Sequence, residues 1–175
     1  MNRIFAFVGA AVILVFGFVL HISYITSGGT VWSVLISSVN GSAWEILKPF
    51  ALAYIMWIVI ELSYFRPSLL HFVCAKILML YFFAVLMIVY CLFVRRFVNG
   101  IFAEVLFYSG IYAILCVVQL LSYRMYKSPV KTEIFYIPIL LSLFLFLVMI
   151  LLFSVYPPHI IPFYDFKADI YGVGI

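Results

Sequence analysis

From its N-terminus the chain alternates long apolar runs with short polar breaks. Ile4 to Tyr24, Pro49 to Tyr64, Phe72 to Val94, Phe102 to Tyr123 and Ile134 to Tyr156 are dense in Leu, Ile, Val and Phe on every helical face. Crossing about 30 Å of hydrocarbon takes roughly 20 helical residues, because lipid offers no partner to an unpaired backbone N–H or C=O. The pattern therefore predicts five membrane spans, over 4–24, 49–64, 72–94, 102–123 and 134–156, the second being the shortest. Arg3 ahead of the first run imitates a secretory signal, but the run is long and no A-x-A site follows it, so a retained helix is expected.

The breaks carry the local detail. Ser27-Gly28-Gly29 ends the first helix, Thr30 can cap a short apolar helix through Val39, and Asn40-Gly41 makes a turn. The expectation is a short interfacial or re-entrant helix after the first span. Ser42-Ala43-Trp44-Glu45 matches the capping box, in which the serine oxygen accepts from the backbone three residues on and the glutamate reaches back to the cap. A helix should start there and continue through a kink at Pro49 into the second span. Arg124, Lys127 and Lys131 surround Pro129 in a basic turn between the fourth and fifth spans. Pro157-Pro158 stops the fifth span, leaving a tail over 157–175 whose aromatic and branched residues would be costly in open water. The tail is expected to run extended to Asp165, turn at Tyr171-Gly172 and lie over the mouth of the bundle.

Composition agrees with the pattern. Hydrophobic residues make up 69% of the 175 positions and charged ones 9%, against roughly 45–50% and about 25% in a soluble domain. The fold class is an all-α membrane protein, a single domain over 1–175. The net charge of +4 is scattered between apolar runs, unlike the clustered basic footprint of a nucleic-acid binder, so nucleic acid is set aside. Cys74, Cys91 and Cys116 lie inside apolar runs without C-x-x-C spacing, which indicates neither a disulfide framework nor a thiolate metal site.

Lys and Arg in the loops set orientation. A cytoplasmic N-terminus puts Arg3, Arg66, Lys76, Arg124, Lys127 and Lys131 inside, against Lys48, Arg95, Arg96 and Lys167 outside. The expectation is a multi-pass protein of the cell membrane with its N-terminus in the cytoplasm and its C-terminal tail outside. Whichever way the bundle points, five spans place the first loop, the third loop and the tail on one face.

That face gathers His21, Glu45, Lys48, Glu104, His159 and Asp165. Ionisable groups at membrane depth are expensive enough to be functional candidates by default. His21, His159 and Asp165 supply ligand types suited to zinc or another divalent metal, and Glu45, Lys48 and Asp165 are the candidate catalytic groups. No H-E-x-x-H, G-x-S-x-G or P-loop spacing supports a metal or catalytic centre. The capping box alone explains Glu45, and an ion pair with Glu45 explains Lys48. Glu61, near the far end of the second span, is read as half of a structural ion pair with Arg66 or Lys76. His71 and Gln119 carry no usable spacing.

The stretch Asn40 to Lys48, with Pro157-Pro158-His159, Asp165 and the closing Tyr171-Gly172, resembles a family of small, uncharacterised bacterial membrane proteins. The family's first-loop motif reads Asn-Glu-Ser-x-Trp-Glu-His-x-Lys and follows a Leu-His that Leu20-His21 matches. Gly41 and Ile46 stand where the motif has Glu and His. The resemblance implies the five-span architecture and a shared polar loop-and-tail motif, and it brings no known substrate. Three function classes follow: a bundle whose loop and tail form a polar cap binding a membrane lipid, a small solute or hydrophobic ligand, or a partner protein; a metal-dependent hydrolase or transferase acting on a lipid-like substrate; and a small transporter with its charged site at Glu61.

Overall fold

The computed structural model describes residues 3–65, 69–97, 101–128 and 132–172. Arg66, Pro129 and Lys131, which enter the orientation and loop expectations, lie outside the described residues. Six α-helices follow in order: α1 (Arg3–Thr26), α2 (Val31–Ile36), α3 (Ala43–Phe65), α4 (Leu69–Phe97), α5 (Ile101–Lys127) and α6 (Tyr136–Val155). Five of them, all but α2, are long and apolar enough to cross a membrane. Their spanning stretches of 20 to 26 residues reach about 30–39 Å at 1.5 Å per residue. Val59, Val85, Phe93, Phe102 and Phe144 are exposed on their outer faces, a surface that acyl chains solvate and water does not.

α1, α3, α4 and α5 close a ring in which each helix packs on two neighbours: α1 on α3 and α5, and α4 on α3 and α5. α6 stands outside that ring against α4 and α2. α3 is the most enclosed, with 61% of its spanning window buried against 22% for α6. Ala6 and Ala10 on α1 are fully buried, as expected of small residues that let helices approach.

One boundary differs from the expectation, for a physical reason. The short helix ends at Ile36 rather than Val39, because Ser37 and Ser38 leave the helical path to bond elsewhere. Ser37 Oγ donates to the His21 carbonyl at 2.7 Å and accepts from the Tyr24 N–H at 3.1 Å, stitching the loop to the end of α1. The helix expected to start at the capping box and run through Pro49 into the second span is α3, which starts at Ala43 and carries Pro49 inside it. Proline has no N–H for the carbonyl four residues back, which here belongs to Glu45. Ser38 Oγ takes that place, donating to the Glu45 carbonyl at 2.8 Å.

The tail is shorter in extension than the Pro-Pro start suggests. A 3₁₀ turn at Ile161–Phe163 leads into a small antiparallel hairpin, β1 (Tyr164–Asp165) with β2 (Ile170–Tyr171). Phe163 is buried against Trp44 of α3, with ring centroids 4.9 Å apart, so the tail does close over the end of the bundle.

Candidate functional site

The cap is built from the first loop, the start of α3, the end of α6 and the tail. Its centre is Lys48, fully buried. An ammonium group has three protons to donate, and three acceptors receive them: the Val34 carbonyl at 2.7 Å, Glu45 Oε2 at 2.8 Å and Ser154 Oγ at 2.8 Å. These tie α2, α3 and α6 to one nitrogen. Ser154 passes its own proton to the Ile150 carbonyl at 2.8 Å. Glu45 Oε2 also accepts the Val39 N–H at 3.0 Å.

The capping box forms by half. The Glu45 N–H donates to Ser42 Oγ at 3.3 Å, as the motif requires. The glutamate does not reach back to the Ser42 N–H, which donates instead to Asn40 Oδ1 at 2.9 Å. Lys48 and the returning loop hold the Glu45 carboxylate, so the local Asx turn of Asn40 takes over the second cap.

Asp165 fastens the tail. Its Oδ2 accepts the Gly41 N–H at 2.6 Å, while Oδ1 accepts from Lys167 N at 2.9 Å and Ala168 N at 3.3 Å, shaping the hairpin turn. Asn40 Nδ2 donates to the Gly172 carbonyl at 2.8 Å. Gly172 has φ of 64°, and a Cβ there would lie 2.6 Å from Pro157 Cγ. Only glycine suits that turn. Beyond the hairpin, the exposed Tyr164 hydroxyl donates to Asp169 Oδ1, and this bond raises the Tyr164 phenol above its ordinary pKa.

His21 Nδ1 lies 2.7 Å from Ser38 Oγ. A serine has one proton, and Ser38 gives it to the Glu45 carbonyl that Pro49 leaves open. His21 Nδ1 is therefore the donor, and Ser38 is not an activated nucleophile. His21, Tyr24, Ser38, Asn40 and Gly41, together with Ile22, Ile25 and Val39, line a surface groove of about 290 Å³.

The structure thus brings His21, Glu45 and Lys48 into one bonded network with Ser38 and Ser154, while Asp165 holds the same loop through the Gly41 N–H. His159 is exposed, its ring tilted against that of Tyr171 with centroids 4.7 Å apart. Glu104 is exposed in the first turn of α5. Among the described residues no group of three His, Cys, Asp or Glu side chains is placed to hold a metal ion, so the expected grouping of His21, His159 and Asp165 is not formed. The two departures from the resembled motif also read structurally. Ile46 is fully buried, and a Cβ at Gly41 would sit 3.0 Å from Asp165 Oδ2, where the bare backbone now approaches.

A second polar locus sits at the opposite end of α3. Glu61 pairs with Lys76 of α4, and Lys76 Nζ donates to Gln119 Oε1 of α5 at 2.7 Å. Tyr54, Trp57 and Ser122 are buried around them. Sequence reasoning anticipated a partner for Glu61 and missed Tyr54, Gln119 and Ser122. A lone Gln or Ser within an apolar run carries no spacing; the only available signal was that amides at span depth are uncommon and need partners.

No protein-family model matches the chain, and comparisons with curated proteins and with solved structures also find no match.

Proposed function

We propose that this multi-pass membrane protein binds an amphipathic, lipid-like molecule in the groove beside His21, with the loop-and-tail cap as the rigid scaffold that shapes it. The observation that carries this reading is the groove itself, which the polar residues His21, Tyr24, Ser38 and Asn40 line together with Gly41 and the apolar Ile22, Ile25 and Val39. Ile25 is 81% exposed, so its side of the groove is continuous with the surrounding acyl chains. A polar head group would meet the loop while its chain runs down α1. The groups most capable of chemistry support binding over turnover. Lys48, Glu45 and Asp165 are buried and spent on one another and on the backbone. By the Lys and Arg count, the cap faces outward and the N-terminus inward.

A lipid analogue carrying a photoreactive acyl chain tests this in nanodiscs. Label should concentrate on the peptides containing residues 21–41 and fall several-fold in Val39→Trp, whose indole fills the groove. Uniform label along all spans, or unchanged label in Val39→Trp, overturns the reading.

A further inference from the structure

The polar locus at the far end of α3 holds more hydrogen-bonding capacity than the described residues satisfy. Tyr54, Glu61, Lys76, Gln119 and Ser122 are at most 1% exposed, and Trp57 is 4% exposed. Counting at 1.5 Å per residue, Glu61 lies about 6 Å before the end of α3, Lys76 about 10 Å into α4 and Gln119 about 12 Å before the end of α5. The locus is inside the spanning part of the bundle, where acyl chains offer no hydrogen bonds.

Three helices contribute and one ion is matched. Lys76 donates to Glu61 and to Gln119 Oε1. An ammonium can only donate, so this contact fixes the orientation of the Gln119 amide. Its Nε2, with two protons, then points away from Lys76 and meets no acceptor among the described residues. Tyr54 Oη and Ser122 Oγ neighbour one another, as do Trp57 Nε1 and the Glu61 carboxylate, yet neither pair closes to hydrogen-bond geometry. The unmatched set therefore contains pure donors at Gln119 and Trp57, an acceptor at Glu61 Oε1, and hydroxyls of both kinds at Tyr54 and Ser122.

Only a molecule that both donates and accepts serves such a set, and it must be small enough to sit among closely packed side chains. We infer that Tyr54, Trp57, Glu61, Gln119 and Ser122 form an internal water-binding site beside the Lys76 ion pair, at the junction of α3, α4 and α5. Water bonded to three or so otherwise unmatched buried groups is a regular part of protein interiors. The site lies at the opposite end of α3 from the groove of the proposed function and stands whether or not that groove binds lipid.

Water-selective NMR on the full-length, ¹⁵N-labelled protein in deuterated detergent tests it directly. The Trp57 indole N–H, assigned by loss of its peak in Trp57→Phe, should show a cross-peak to a long-lived water, as the exposed Trp32 indole shows one to bulk solvent. In a second measurement, Tyr54→Phe should lower the thermal unfolding midpoint by about 2–4 °C, since it takes a partner from the bound water. The absence of a water cross-peak at Trp57, or a raised midpoint in Tyr54→Phe, overturns the inference; the raised midpoint is what removing an unsatisfied hydroxyl from a dry core produces.

Discussion

Ser38→Ala has a cost that depends on a residue eleven positions away in sequence. Pro49 withholds the N–H that the Glu45 carbonyl would receive in an unbroken helix, and Ser38 Oγ fills that demand from the loop at 2.8 Å. Removing the hydroxyl leaves a buried carbonyl without its donor, which costs about 1–3 kcal/mol, more than the roughly 0.5–1.5 kcal/mol net worth of an ordinary hydrogen bond. It also strips His21 Nδ1 of its acceptor. In a Pro49→Ala background the substituted position supplies its own backbone N–H to the Glu45 carbonyl, so Ser38→Ala should cost only about 0.5–1 kcal/mol there. The double-mutant cycle should therefore show a coupling of about 1–2 kcal/mol between positions 38 and 49. Unfolding of the four proteins in mixed detergent and dodecyl sulfate micelles, followed by circular dichroism, measures it. Equal costs for Ser38→Ala in both backgrounds would refute the argument that the loop serine exists to complete the proline-broken turn.

Other perturbations test the remaining fastenings. Lys48→Met leaves the Glu45 carboxylate buried beside a methyl group and should cost about 3–5 kcal/mol, read in the same micelle titration, whereas Ser154→Ala should cost about 1 kcal/mol. Gly172→Ala meets both a positive φ and Pro157, so limited proteolysis should cut the tail several-fold faster than in the parent chain. Because the bond to Asp169 raises the Tyr164 pKa, the phenol's contribution to the hairpin is intact below the ordinary tyrosine value of about 10. It is lost as pH climbs through the raised value. Proteolytic protection of the tail should follow that course and be insensitive to pH in Tyr164→Phe.

The spans were legible because length and apolarity suffice for them: a helix that must be greasy on every side leaves a run of about twenty residues that nothing else explains. The start of α3 was legible too, since Ser42 and Glu45 hold a motif whose chemistry is local. What the motif could not tell was where the Glu45 carboxylate would turn. That choice depends on Val39 and Lys48, which the fold brings together from the loop and the helix. The same limit explains Ser154 and Gln119, each a single polar residue in an apolar run whose partner lies 106 or 43 positions away. His159 depended on the fold in another way. Span parity put it on the face of His21 and Asp165, and the hairpin then sets its ring against Tyr171. Parity alone placed loop and tail on a common face, and the Gly41 to Asp165 bond joins them there.

The attachment of α6 has a consequence for how the chain is made. Lys48 emerges from the ribosome 106 residues before Ser154, the hydroxyl that completes its coordination. During that interval the start of α3 carries an ammonium short of one acceptor, in a bundle that still lacks its outermost helix. A chain that stops short of α6 therefore presents at this end of the bundle an ammonium with one unmatched proton, a chemical difference from the finished molecule, in which Ser154 completes the set.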